Sequence, residues 1–160
     1  MDRLWAPWRM TYIGGGSGGD GCIFCDALAS ADDRGTLLVH RGRLAFIILN
    51  AYPYASGHLM VATNRHGVPL DEATAPELAE TMELVQRGVG ALRTIYAPHG
   101  FNVGLNMGRV AGAGIPDHLH VHVVPRWNGD ANFISVIGET RVLPEALETT
   151  FDRLKAALSS

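Results

Sequence analysis

The sequence has little cysteine, no block of like charge and no long apolar run, and each shortage excludes something. Cys22 and Cys25 are the only cysteines, spaced as a Cys-x-x-Cys pair. In a reducing compartment such a pair suggests metal ligation or redox work before a structural disulfide. Lysine and arginine are interspersed with acidic residues at a formal net charge of −3. No basic row is therefore available to neutralise the phosphates of a nucleic acid polymer, and a small ligand is the better expectation. No apolar run is long enough to cross a bilayer, and Met1-Asp2-Arg3-Leu4-Trp5 lacks the basic-then-apolar layout of a signal peptide, so the expected location is cytoplasmic, with no membrane partner. No internal repeat is present.

What is there suits one domain. A chain of 160 residues can bury a core without disulfide staples, and its 47% hydrophobic and 18% charged residues read as globular. The run from Gly14 to Gly21 holds six glycines in eight residues, cannot bury side chains and loses much entropy on ordering. It divides an N-terminal arm, residues 1–13, from a single domain, residues 22–160, with 14–21 as connector. The arm carries Trp5, Trp8, Met10 and Tyr12, an apolar payload expected to dock on the domain or on a second subunit.

Three apolar runs of strand length, Thr36 to His40, Leu44 to Leu49 and His58 to Thr63, are separated by turn residues and predict an antiparallel meander. Thr74-Ala75-Pro76-Glu77 matches a capping box and starts a helix whose stripe is Leu78, Met82, Val85, Val89, Leu92 and Tyr96, ending at Pro98 and Gly100. Gly88 and Gly90 either weaken this helix or admit a close neighbour. Phe101 to Asn106 and His118 to Val124 predict two more strands, joined by a glycine-rich loop, and a last helix runs from about Pro144 through Leu147, Phe151, Leu154 and Leu158. Strands grouped apart from helices argue for an α+β fold rather than a parallel sheet.

In a strand, alternate side chains share a face at about 6.5 to 7 Å spacing, so His118, His120 and His122 line one face while Leu119, Val121 and Val123 line the other. A lone histidine is most often a hydrogen-bonded structural residue; three in register favour chemistry. A metal site remains a second reading, since imidazoles at i and i+2 can share a cation.

The run His118-Leu119-His120-Val121-His122-Val123-Val124 resembles the signature of the histidine triad family of nucleotide hydrolases and transferases. Cys22-Ile23-Phe24-Cys25, Leu49-Asn50, Gly57-His58-Leu59-Met60-Val61 and Pro125-Arg126 occur in the family's order. The arm, Asn50-x-Tyr52-Pro53-Tyr54, Pro98 to Asn106 and Pro125 to Phe133 look like a bacterial branch similar to diadenosine tetraphosphate phosphorylases. The resemblance implies an antiparallel sheet of about five strands with two helices, usually paired as a homodimer.

Carried over residue by residue, the resemblance makes His120 the nucleophile, His122 a phosphate contact and His58 a fourth histidine on the adjoining strand. Asn50 would hold the ribose hydroxyls, with Asn106, Gly114 and Trp127 completing the implied nucleotide-binding set and Leu44 to Leu49 part of the base pocket. The bland alternatives are that Asn50 makes the turn before Tyr52-Pro53 and that His58 merely enters a strand. Cys22, Cys25, His66 and His118 match the positions of a structural zinc, a donor set suited to closed tetrahedral coordination. Gly114 and Ile115 stand where many members carry a polar pair, so a side-chain contact to the scissile phosphate or leaving group is missing. Backbone N–H donors of the glycine-rich loop are one replacement that would suit an anionic phosphate.

The implied partner is a purine nucleotide or dinucleoside polyphosphate, cleaved at the α-phosphate through a nucleotidyl-His120 intermediate by water or inorganic phosphate. No catalytic metal is required, although the substrate can arrive with magnesium. Two rivals remain: a zinc-stabilised nucleotide-binding module without turnover, and a hydrolase whose histidine strand holds a catalytic metal.

Overall fold

The computed structural model describes residues 21–130 and 145–159. The expected arm, most of the connector and Pro144 lie outside them. Five antiparallel strands form one sheet: β1 (Leu38–Arg41), β2 (Ala45–Leu49), β3 (Leu59–Thr63), β4 (Gly100–Gly104) and β5 (His120–Arg126), in the spatial order β1-β2-β3-β5-β4. Among the described residues three α-helices accompany it: α1 (Ile23–Ala29), α2 (Ala75–Tyr96) and α3 (Leu147–Leu158). The α+β expectation holds, with one helix more than the two expected. Seven residues are too few for periodicity to reveal α1, and a helix this short needs tertiary contacts to persist.

The sheet is buried on both faces at its centre, which is why β2 and β3 read as continuous apolar runs. Ile47, Leu49, Leu59, Val61, Val121 and Val123 face α2 and α3 and form the larger core with Leu84, Val85, Leu92, Phe151 and Leu154. Phe46, Ile48, Met60 and Ala62 face the other way and pack under α1 through Phe24 and Ala27. Each fully buried side chain of this size contributes about 1.5–3 kcal/mol.

Several boundaries differ from expectation. The capping box at the start of α2 is present, Thr74 accepting from the Glu77 N–H. Val85, Val89, Leu92 and Tyr96 of the expected stripe pack on the core, but the buried face is centred on Thr81, Leu84, Val85, Gly88, Ala91 and Leu92, and Met82 stays exposed. Gly88 is the close-approach point, since a Cβ there would stand 3.2 Å from the Leu59 side chain. β1 begins two residues late because Leu37 takes a left-handed φ of 61°. β5 begins at His120, so His118 precedes the strand.

Candidate functional site

Cross-strand register builds the histidine face. Phe46 pairs with Ala62 and Ala62 with His120; Ile48 pairs with Met60 and Met60 with His122. The two strand histidines therefore continue two apolar rows, and the row through His122 ends on Gly104 of β4, where an added Cβ would meet nothing within 4 Å. Open space beside His122 suits a ligand approaching the sheet.

His120 is buried, and its Nδ1 lies 2.7 Å from the His118 carbonyl oxygen. A carbonyl only accepts, so Nδ1 carries the proton and Nε2 keeps its lone pair. Burial pushes the His120 pKa below 6.5, the bond to His118 opposing, so the ring stays neutral at physiological pH. A neutral imidazole with a fixed Nε2 lone pair is a competent nucleophile.

His122 has the opposite tautomer, set by a chain of bonds. The Tyr54 main-chain N–H donates to His58 Nδ1 at 3.1 Å, so His58 is neutral and carries its proton on Nε2. That Nε2–H donates to His122 Nδ1 at 3.0 Å, and His122 in turn carries its proton on Nε2. The Tyr54 ring lies over both imidazoles, at centroid distances of 4.6 Å and 6.3 Å. One strand thus presents a lone pair at position 120 and a donor at position 122.

His118 belongs to a different cluster. Its Nε2–H donates to the Thr63 carbonyl at 2.6 Å, which turns the Nδ1 lone pair toward Cys22 Sγ at 3.3 Å, Cys25 Sγ at 3.7 Å and His66 Nδ1 at 3.3 Å. All four donor atoms lie within 4.8 Å of one another. Tetrahedral zinc with ordinary bond lengths would place sulfur and nitrogen ligands about 3.5 Å apart and two nitrogens about 3.3 Å apart. The donor set and its spacing fit that ion. The Thr63 carbonyl is the outer partner that ligating histidines commonly have. Burial raises the Cys25 thiol pKa, with the neighbouring Cys22 adding to it, and burial lowers that of His118, so ligation would have to draw the proton off the thiol but not off His118 Nδ1.

Arg65, next to His66, makes two 2.8 Å bonds to Glu77, tying the ligand's loop to the start of α2.

Residues 34–129 match the HIT domain, the histidine triad. The chain belongs to the HIT family. It is 43% identical over 158 residues to an AP-4-A phosphorylase of Mycobacterium tuberculosis, covering 94% of this chain and 80% of that protein. It is 31% identical to an uncharacterised HIT-like protein of Methanocaldococcus jannaschii over 75% of this chain and 89% of that one. Among solved structures it resembles a zinc-bound histidine triad family protein of Mycobacterium smegmatis, with a TM-score of 0.68, 26% identity and coverage of 87% and 94%.

In this HIT chain the remaining candidates are dispersed. Asn50 is buried and makes the turn: its Oδ1 accepts the Tyr52 N–H at 2.9 Å while its own N–H donates to the His58 carbonyl. This leaves the side-chain amide nitrogen as its donor. Asn106 donates to the Gly112 carbonyl at 3.4 Å, folding the loop that carries Gly114. Ile115 packs on the α1 side of the sheet with Phe24 and Phe46, so it fills apolar space on the histidine face. Trp127 contacts Tyr96 of α2 edge to face at 6.4 Å.

Tyr54, Thr63 and Phe24 escaped the sequence reading. Two of them act on a histidine through main-chain atoms, which any residue type could supply. Phe24 had a signal, its place between the two cysteines.

Among the described residues no helix is long and apolar enough to cross a membrane.

Proposed function

We propose that this HIT chain cleaves dinucleoside polyphosphates at the α-phosphate through a covalent nucleotidyl-His120 intermediate, with inorganic phosphate as the acceptor. The observation that carries the proposal is the bond from His120 Nδ1–H to the His118 carbonyl, which leaves Nε2 as the attacking lone pair. Nε2 forms a bond to the α-phosphorus as the bridging P–O bond breaks, and the shortened polyphosphate leaves with that electron pair. His122 Nε2–H donates to the phosphoryl oxygens, where charge builds up in the transition state. Phosphate oxygen then attacks the same phosphorus, the P–N bond breaks, and His120 returns to its neutral tautomer. Diadenosine tetraphosphate would yield ATP in the first step and ADP in the second.

The choice of phosphate over water rests on the kinship to a relative named as a phosphorylase. Zinc held by Cys22, Cys25, His66 and His118 is part of this reading, as a structural ion that would clamp α1 and the His66 loop to the segment leading into β5. So is pairing of two chains: β4 is an outer strand of the sheet, and Val103 on it is exposed. Sedimentation would test the pairing.

The test of the reaction is incubation with diadenosine tetraphosphate, with and without inorganic phosphate, products being resolved by chromatography. ADP and ATP formed only with phosphate is the expected result. AMP and ATP formed equally well without it would make water the acceptor. Nucleotide binding with no turnover of polyphosphates or phosphoramidates would leave a binding module.

A further inference from the structure

One side chain touches both halves of the site. Phe24 is the second residue of α1, between Cys22 and Cys25, and is almost fully buried. Its ring centroid lies 5.0 Å from that of His118 and 4.9 Å from that of His120, with Phe46 behind it at 6.2 Å. The same two histidines are joined a second time, by the His120 Nδ1–H bond to the His118 carbonyl.

What holds Phe24 in place is uneven along α1. The C-terminal end of the helix is tied down by Arg41, which donates to the carbonyls of Ala27, Leu28 and Ser30. At the N-terminal end no side chain caps the helix; among the described residues the polar partners of the cysteine sulfurs lie in the His118 and His66 cluster, and Cys22 also packs on the apolar cluster around Phe24. A seven-residue helix has little stability of its own, so its first turn is held by two things, the burial of Phe24 and that cluster, and only the cluster responds to a metal ion.

We infer that metal occupancy of the Cys22, Cys25, His66 and His118 cluster and nucleotide binding at His120 are thermodynamically coupled, with Phe24 as the positioning residue that transmits the coupling. Metal fixes the first turn of α1, Phe24 then presses on the His120 ring, and His120 holds the orientation that a phosphate meets. By linkage, nucleotide strengthens metal binding by the same factor that metal strengthens nucleotide binding. The inference rests on the nucleotide reading given above, and the test separates the two.

Full-length zinc-loaded protein is titrated with AMP by calorimetry, before and after chelator treatment. Separately, zinc transfer from loaded protein to a chromophoric chelator is followed with and without AMP, which needs no folded metal-free state. Stripping is expected to weaken AMP binding about tenfold, within the usual range for linked sites, and AMP should hold zinc against the chelator by a matching factor. Phe24→Ala keeps all four ligands but should bring both factors near one, whereas Phe24→Leu, which keeps bulk against His120, should retain most of the coupling. A purely structural role for Phe24 would change stability in both variants without separating these factors. A third readout needs no nucleotide: diethyl pyrocarbonate should modify His120 several-fold faster in Phe24→Ala than in the parent, as read by peptide mass spectrometry.

Equal AMP affinity with and without zinc, together with zinc transfer indifferent to AMP, would overturn the coupling. So would full coupling in Phe24→Ala. Loaded protein that binds no AMP, while zinc removal or Phe24→Ala still exposes His120 to the reagent, would overturn the nucleotide reading and leave the metal-to-nucleophile link standing.

Discussion

His58 donates from Nε2 to His122 Nδ1 across 3.0 Å, and this bond decides which nitrogen of His122 bears a proton. The direction is forced from outside the pair, because the Tyr54 N–H already occupies His58 Nδ1. Replacing His58 by Phe removes the donor and frees His122 to take the other tautomer. The expected outcome is a fall in kcat of about 10- to 100-fold, the usual cost of losing an outer-shell partner, with a smaller change in KM. Steady-state kinetics on diadenosine tetraphosphate check this. An unchanged kcat would mean that His122 does not act as a donor.

Metal content gives a second prediction. Purified protein should carry one zinc per chain, and Cys22→Ser should lose it, because the thiolate has no equal in a hydroxyl. An ion at 100 times its dissociation constant stabilises the fold by about 2.7 kcal/mol, so chelation should lower Tm and added zinc restore it. Elemental analysis and calorimetry are the measurements.

A third concerns acid. His40 on β1 faces Arg87, whose guanidinium donates to His40 Nε2 at 3.1 Å and to the Leu158 carbonyl at 2.9 Å. Burial, followed by the nearby charges of Arg87 and Lys155, pushes the His40 pKa below its ordinary 6.5, with Glu80 opposing. The unfolded chain therefore binds the proton more readily than the folded one. The stability contributed by neutral His40 is complete above pH 6.5 and is lost as pH falls from there through the lower folded value. Urea denaturation of the parent and of His40→Gln, which keeps an acceptor but does not titrate, should diverge below that pH, the parent losing more.

Much of this was legible in the sequence because periodicity and residue type carry it. The alternation from His118 to Val124 placed His120 and His122 together, and the ligand types at Cys22, Cys25, His66 and His118 do come together. What the sequence hid was carried by main-chain atoms or by very short elements. The carbonyls of Thr63 and His118 and the N–H of Tyr54 set three tautomers, yet none requires its residue type. The helix α1 was too short to show a stripe, and the expected stripe on α2, right at Val85, Val89, Leu92 and Tyr96, missed Thr81, Gly88 and Ala91 because they are buried there through size and not hydrophobicity.

Gly57, just before His58, supplies a fourth prediction. Its φ is +81°, and a Cβ would come within 2.7 Å of the Leu92 side chain. Gly57→Ala should cost about 1–2 kcal/mol for the left-handed backbone, before any cost of displacing Leu92. Denaturant midpoints would report it, and activity should fall too, since the shift begins one residue from the bond that orients His122.

The central claim is that His120 becomes covalently attached to a nucleotide. Rapid acid-free quenching of the protein with diadenosine tetraphosphate in the absence of inorganic phosphate, followed by intact-mass and peptide mass spectrometry, tests it most directly. The account predicts a chain heavier by one adenylyl group, located on the His120 peptide, absent in His120→Gly and discharged as ADP when phosphate is added. Full turnover by His120→Gly, or an adenylyl group on any other residue, would contradict it.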